Sequence, residues 1–208
     1  KEEGVDFNSL SDMPFDSPLG EASGAGVIFG NTGGVMEAAL RTATYLLTGK
    51  NPENVELKEV RGYQGIRENE IQVGDVTLRT AVIYGTANAK KFIEDMEKSG
   101  KVYHLIEVMT CPGGCIGGGG QPKDFSKDPD EVRKARISSL YTRDHELKEK
   151  FSHENKEIVE LYSSFYGKPL SPLAERMLHT AYVDRSKDLK KKEKKMAKWK
   201  CKVCGYVY

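Results

Sequence analysis

Several features are absent from this 208-residue chain, and each absence narrows the range of functions that we expect. No apolar run approaches the ~18 residues of a membrane-spanning helix, and 32 basic against 31 acidic residues leave a net charge of only +1. We therefore expect neither a membrane segment nor a nucleic-acid surface. The start, KEEGVDFNSLSDMPFD, has no initiator Met and no secretion-signal pattern, which predicts a processed chain or a fragment.

Cysteine is also scarce, and the four that exist form two tight pairs, Cys111 with Cys115 and Cys201 with Cys204. Such local pairs suit metal ligation better than the long-range disulfides of secreted proteins. We therefore expect a reducing compartment, the cytoplasm. Hydrophobic residues at 38% and charged residues at 30% are typical of a globular protein.

The hydrophobic pattern predicts strands alternating with helices, followed by helices alone. The predicted strands are 24–30, 55–60, 71–73, 76–85 and 103–109. The predicted helices are 35–48, 89–99, 131–140, 144–151, 155–167 and 171–182. Gly74-Asp75 marks a hairpin turn, and Gly49 and Gly100 mark helix ends. This order predicts an α/β fold with a helical C-terminal region.

A glycine-rich turn, GNTGGV, joins the first predicted strand to the first helix. It has neither the G-x-G-x-x-G spacing of dinucleotide sites nor the Lys-Ser/Thr of a phosphate loop. We interpret Gly33 and Gly34 as permitting a tight strand-to-helix turn. The amides at such a helix start are also suited to face an anionic group.

A second glycine-rich loop, EVMTCPGGCIGGGGQP at 107–122, contains the first cysteine pair. Thiolates hold iron–sulfur clusters, and four-iron clusters take four of them. On a helical turn, a C-x-x-x-C step would bring the two Cβ atoms to ~5–6 Å. The glycines would let the backbone approach a cluster and direct amides at it. The alternative is a glycine-rich turn with two incidental buried thiols.

This second loop resembles the third cysteine motif of iron–iron (FeFe) hydrogenases, E-x-M-x-C-x-x-G-C-x-x-G-G-G-Q-P. The likeness extends from FDSPLGEASGAGVIFGNTGG near the start to RMLHTAY at 176–182, and covers roughly residues 5–183. Every fixed position of the motif is present, namely Glu107, Met109, Cys111, Gly114, Cys115, Gly118, Gly119, Gly120, Gln121 and Pro122.

The resemblance implies one lobe of a two-lobed domain, a mainly parallel sheet with flanking helices, that holds the H-cluster against a second lobe. The H-cluster is a 4Fe-4S cubane joined through a cysteine sulfur to a diiron subsite with CO, cyanide and a dithiolate bridge. Cys111 would bind the cubane, and Cys115 would bind it and bridge to the diiron subsite. Met109 would lie beside that subsite and Phe29 would shield it. The alternative for Met109 and Phe29 is an ordinary core position.

The chain departs from the family in one respect. The family's two other motifs, T-S-C-C-P-x-W and M-P-C-x-x-K-x-x-E, are not in this sequence. They supply the other two cubane ligands and the proton-shuttling cysteine. We therefore expect a second lobe without its N-terminal partner lobe, which would come from the same gene or a separate chain. Such a chain would be inactive alone.

The last ten residues, WKCKVCGYVY, contain Cys201 and Cys204 and resemble the first metal-binding knuckle of rubredoxin. A truncated knuckle of this kind would bind one iron or zinc if completed, because both metals accept thiolate tetrahedra. A third arrangement joins all four cysteines around one structural zinc or cluster. The lysine-rich stretch before the knuckle, with eight lysines in residues 187–200, is predicted to be a linker, with a nucleic-acid tail as the alternative.

These patterns predict three segments: a hydrogenase lobe (1–183), a lysine-rich linker (184–198) and the knuckle (199–208). The predicted activity, carried by the whole hydrogenase, is reversible H2 oxidation and proton reduction. Ferredoxin or a rubredoxin-like carrier would exchange the electrons. The alternative is a non-catalytic relative, either an iron–sulfur assembly protein or a sensory protein.

Overall fold

The computed structural model describes residues 4–14, 16, 20 and 22–187. The chain divides into two compact units, Lys1–Tyr162 and Ser163–Tyr208. Three strands and five helices lie in the first unit: β1 (Ile66–Val73), β2 (Val76–Tyr84), β3 (Leu105–Met109), α1 (Gly24–Val27), α2 (Gly34–Thr48), α3 (Thr86–Ser99), α4 (Pro129–Glu146) and α5 (Lys156–Leu161). Helix α6 (Pro172–Leu178) lies in the second unit. Short 3₁₀ turns occur at Phe7–Ser9, Ile28–Gly30, Cys115–Gly117 and Ser152–Glu154, and a π-helical turn at Tyr162–Tyr166.

The three described strands form one mixed sheet in the order β1-β2-β3. Strands β1 and β2 are an antiparallel hairpin in which Val73 pairs with Val76 across Gly74. Gly74 has a φ of 57°, a conformation that glycine tolerates better than other residues. Strand β3 runs parallel to β2, with Met109 beside Tyr84. The α/β class and the hairpin are confirmed, although only one of the two described pairings is parallel.

Helices cover both faces of this sheet. On one face, α2 contributes Met36 and Leu40 to a buried cluster that also contains Val60, Ile71, Val73 and Val82. On the other face, Phe92 of α3 packs against Ala81 and Ile83. Residues 81, 82 and 83 of β2 are fully buried, as expected for a strand covered on both sides. The sheet therefore gives β3 a rigid base from which the cysteine loop departs.

The predicted ends of the two sheet-covering helices are confirmed. Gly49 follows α2 with a φ of 71°, and Gly100 follows α3 with a φ of 65°. Each glycine donates its N–H to a carbonyl four residues earlier, Tyr45 and Met96 respectively. Left-handed glycines of this kind are a common way to end a helix.

Three predicted elements were wrong. Residues 24–30 are a short helix and a 3₁₀ turn rather than a strand, because Ser23 caps the Gly26 N–H and Gly24 lies against Asp144 too closely for a side chain. Residues 55–60 form no strand and end in a turn in which the Val60 N–H bonds Leu57. No separate helix spans 144–151, because α4 itself continues through Glu146.

Among the helices of the described residues, none has both the length and the hydropathy that crossing a membrane requires.

Candidate functional site

The cysteine loop begins where β3 ends. Met109 is the last residue of β3 and its carbonyl accepts a hydrogen bond from the Gly85 N–H at 2.8 Å. Cys111 follows in a bend and is half-buried, whereas Cys115 is exposed. Both are free thiols. The sheet therefore places Met109 and Cys111 at its edge and leaves Cys115 open to solvent.

The two cysteines do not lie on one helical turn, the arrangement in which their spacing would have brought the two Cβ atoms together. The Gly114 N–H bonds the Cys111 carbonyl at 3.0 Å and closes a tight turn. Gly114 then has φ 98° and ψ −160°, which is far from helical, and Cys115 starts the 3₁₀ turn. Glycine is suited to this conformation because it lacks a Cβ. The loop is thus two successive turns joined at Gly114.

Gly114 also lets the loop pack against two neighbours. A Cβ at this position would lie 2.8 Å from the Met109 Sδ and 2.8 Å from the Thr32 N. The Thr32 N–H donates to the Gly113 carbonyl at 2.9 Å, so the segment before α2 holds the loop directly. Gly113 in turn faces the ring of Tyr63.

Glu107 attaches β3 to the start of α2. Its side chain is 7% exposed, and its two carboxyl oxygens accept hydrogen bonds from the Gly33 N–H at 2.6 Å and the Met36 N–H at 2.7 Å. Helix starts have unpaired N–H groups and favour negative charge. The anionic partner of the first glycine turn is thus the protein's own carboxylate. Burial raises the Glu107 pKa against the opposing effect of these amide bonds.

Arg67 supports the same segment from β1. Its guanidinium donates to the Thr32 hydroxyl at 3.0 Å and to the Gln64 carbonyl at 2.6 Å. Burial lowers the pKa of this guanidinium, and the nearby Glu107 opposes that shift. Glu107 and Arg67 therefore fix the segment that contacts the cysteine loop from two sides.

Helix α4 holds the far side of the loop. Arg136 donates to the Ile116 carbonyl at 2.9 Å and to the Pro122 carbonyl. Ile116 is 7% exposed and lies beside Gly30 and Leu140. The residue directly after Cys115 is therefore fixed through both its side chain and its backbone.

The other predicted site residues have different outcomes. Phe29 lies in the 3₁₀ turn Ile28–Gly30 rather than in a buried strand, and it is 46% exposed. Its position in a buried strand was wrong, while its role stays a prediction. Cys201 and Cys204, with the predicted knuckle and most of the lysine-rich linker, lie outside the described residues.

The loop fits half of a cluster site. Among the described residues, no three His, Cys, Asp or Glu side chains are grouped so that they could hold a metal ion, and a four-iron cluster takes four thiolates. Cys111 and Cys115 offer two. A Cβ at Gly119 or Gly120 would meet nothing within 4 Å, so this part of the loop is open rather than packed against the described residues.

Comparison with known families decides between the hydrogenase resemblance and an unrelated glycine-rich turn. Residues 1–119 match the family model of the iron only hydrogenase large subunit, C-terminal domain. This chain belongs to the iron-only hydrogenase family. Residues 130–185 also match the model of the iron hydrogenase small subunit.

Individual relatives agree with this assignment. The chain is 46% identical to the NADP-reducing hydrogenase subunit HndD of Solidesulfovibrio fructosivorans over 88% of this chain and 31% of that protein. It is 44% identical to iron hydrogenase 1 of Clostridium pasteurianum over 88% of this chain and 32% of that protein. The chain therefore spans about a third of the length of these two hydrogenases.

Two further comparisons concern the fold and a more distant relative. The [FeFe]-hydrogenase HydA1 of Chlamydomonas reinhardtii superposes with a TM-score of 0.65 at 39% identity, over 88% of this chain and 52% of that one. The cytosolic Fe-S cluster assembly factor narfl of Xenopus tropicalis is 28% identical over 88% of this chain and 38% of that protein. The fold is thus that of hydrogenases, and proteins named for cluster assembly are among the relatives.

Sequence reasoning missed the residues that support the loop from other elements. It assigned no role to Thr32, Tyr63, Arg67 or Arg136, and it noted Glu107 only as a motif position. These residues lie up to 83 positions from the cysteines along the chain, and no local periodicity marks them. A signal was present for Glu107, a fixed position of the motif, and for Thr32, which lies in the first glycine turn.

Proposed function

We propose that this chain is one lobe of the catalytic domain of an iron–iron hydrogenase, which oxidises H2 to two protons and two electrons and runs the reverse reaction. The main support is the geometry of the cysteine loop. Its two free thiols follow Met109 on a loop that β3, the start of α2 and α4 all hold in place. The exposed Cys115 faces the side where a second lobe would complete the site.

The chain's residues have distinct roles in this proposal. Cys111 and Cys115 would hold the H-cluster as thiolates, and Cys115 would also join it to the diiron subsite. Met109, whose thioether packs against Gly114, would border that subsite, and the ring of Phe29, which is 46% exposed, would exclude water from it once the second lobe is in place. When bound, the H-cluster supplies a diiron centre for H2 heterolysis and a cubane for electron relay. This lobe alone is inactive.

We place the hydrogenase lobe at 1–183, the linker at 184–198 and the rubredoxin-like knuckle, which binds iron or zinc once completed, at 199–208. The partner is the N-terminal lobe, and the electron carrier is ferredoxin or rubredoxin-like. The location is the cytoplasm, although one relative is the periplasmic [Fe] hydrogenase large subunit of Nitratidesulfovibrio vulgaris, 48% identical over 122 residues. The alternative function is iron–sulfur cluster assembly, which the similarity to narfl supports.

Anaerobic native mass spectrometry of the protein isolated from its own cells tests the proposal. We expect a complex that contains the second lobe and about six iron atoms, the four of a cubane plus two. Infrared bands of CO and cyanide would distinguish a diiron subsite from a plain cubane. Iron in multiples of four without those bands would favour the assembly function. A protein without iron would contradict both functions.

A further inference from the structure

Arg136 closes the glycine-rich end of the cysteine loop. The two terminal nitrogens of its guanidinium donate hydrogen bonds to the carbonyls of Ile116 and Pro122, which lie on either side of the glycines at 117–120. Those four glycines have no side chains with which to fix themselves, and glycine loses more backbone freedom on ordering than other residues. A planar, forked donor is suited to hold two such carbonyls in one geometry. Arg136 therefore restrains a segment that its own sequence leaves free.

Within the part of the chain that the structure describes, no carboxylate forms an ion pair with Arg136, although Asp124 and Glu131 line the same groove. The neighbouring Arg133 differs, because it forms an ion pair with Asp130 at 2.6 Å. A positive charge beside a group that gains negative charge on reduction favours the reduced state. Charge and hydrogen bonding around a cluster are among the factors that set its reduction potential.

We propose that Arg136 is a positioning residue for the cluster: it fixes the backbone that follows Cys115, and its positive charge raises the reduction potential of the cubane. The effect of Arg136 on the reduction potential rests on the proposed function. The positioning role concerns this chain's own loop and does not depend on a bound cluster.

The first test measures the loop without a cluster. In the full chain, hydrogen exchange of residues 115–122 and the alkylation rate of Cys115 are compared between wild type, Arg136→Met and Arg136→Lys. We expect both variants to exchange and react faster, because lysine offers no planar fork for the two carbonyls. The matched controls Arg143→Met and Arg143→Lys lie on the same helix, where Arg143 pairs with Glu146 near the surface, and should leave the loop unchanged.

The second test measures the cluster in the native complex by a redox titration monitored by electron paramagnetic resonance. We expect Arg136→Met to shift the cubane potential to more negative values, whereas Arg136→Lys retains the charge and stays near wild type. If Arg136→Met does not fold, Arg136→Lys still decides the positioning role: faster loop exchange supports it, and unchanged exchange overturns it.

The outcomes separate the two proposals. Unchanged loop exchange in both variants overturns the positioning role even if the wild type holds a complete cluster. An unchanged potential in a cluster-loaded Arg136→Met overturns the electrostatic role. A wild type that binds no cluster overturns the proposed function and the electrostatic role together, while the exchange data still decide whether Arg136 positions the loop.

Discussion

At the scale of single residues, the cysteine loop contains glycines with different roles. Gly114 has a φ of 98° and lies against Met109 and Thr32, whereas Gly119 lies in open space with nothing within 4 Å of a Cβ. The motif gives these two positions the same letter. The structure shows that Gly114 is required for backbone geometry and close packing. Gly119 has space for a side chain when this chain is considered by itself.

Replacing Gly114 by Ala should destabilise the protein by about 1–3 kcal/mol, because the added Cβ imposes strain at a positive φ and meets the Met109 Sδ. Urea unfolding monitored by circular dichroism measures this change. Gly119→Ala is the matched control and should remain within about 0.5 kcal/mol of wild type. Equal losses in the two variants would contradict the packing described for Gly114.

Tyr63, whose ring faces Gly113, should titrate at unusually high pH. Burial, joined by the hydrogen bond from its hydroxyl to the Asp130 carboxylate at 2.8 Å, raises the pKa of Tyr63 to about 12. Since the pKa is raised above its unfolded value of about 10, the stability that comes from holding this tyrosine neutral, buried and hydrogen-bonded is fully present below pH 10. The contribution is lost as the pH rises through about 12.

Ultraviolet titration of tyrosinate absorbance checks this pKa. Tyr63→Phe should remove one titrating group near pH 12. Asp130→Asn, which removes the acceptor's charge, should lower the Tyr63 pKa. If Tyr63→Phe instead removed a group that titrates near pH 10, the pKa of Tyr63 would not be raised and its hydroxyl would be exposed to solvent.

At the scale of secondary-structure elements, a buried network of charges ties α2 to α4. The Arg41 side chain is fully buried and bonds Glu37 at 2.8 Å and Asp144 at 2.7 Å. Glu37 also pairs with Arg61 at 2.7 Å. Buried charges are stable only when they are paired and hydrogen-bonded, so this network fixes which faces of the two helices meet.

Arg41→Met should cost about 3–5 kcal/mol of unfolding free energy, because it leaves Asp144 and part of Glu37 buried without their partner. The control is Arg79→Met, which breaks an ion pair with Glu70 whose two side chains are 41% and 60% exposed and should cost about 0–1 kcal/mol. Chemical denaturation of both variants at neutral pH compares them. A small loss for Arg41→Met would show that water enters the network.

Local sequence pattern predicted α2, α3 and the hairpin, because each has periodic apolar residues and a glycine where the chain turns or ends. It predicted β3 from a short apolar run that leads into the cysteine loop. It failed for residues 24–30, where the short apolar run is a helix against α4. A run of seven apolar and glycine residues is compatible with either structure. The contact of Gly24 with Asp144 joins residues 120 positions apart, so the local pattern could not contain it.

At the scale of the whole chain, the elements that support the cysteine loop all lie in the first unit, Lys1–Tyr162. The sheet, both hydrophobic clusters and the Arg41 network belong to it. The family comparison covers more than this unit, yet only 52% of the HydA1 chain. The first unit is therefore the smallest part of the chain in which we expect the loop to keep its structure.

A chain that ends at Tyr162 should retain a cooperative unfolding transition and slow hydrogen exchange in β2. A chain that ends at Glu146 is the control. It should unfold more readily, since it lacks the Glu149 carbonyl that bonds the Gly24 N–H at 2.7 Å and the Lys150 carbonyl that bonds Arg41 at 3.1 Å. Loss of cooperativity in the longer chain would show that the second unit is needed for the fold.

Reading the sequence was enough to identify Cys111 and Cys115, their glycine loop, the resemblance to hydrogenases and most helix and strand positions. These features depend on residue type and short-range spacing, which are local properties of the chain. The two successive turns of the loop became evident only in the folded protein. The same is true of the bonds from Glu107 to the start of α2 and from Arg136 to the loop, because those contacts join elements far apart in the sequence.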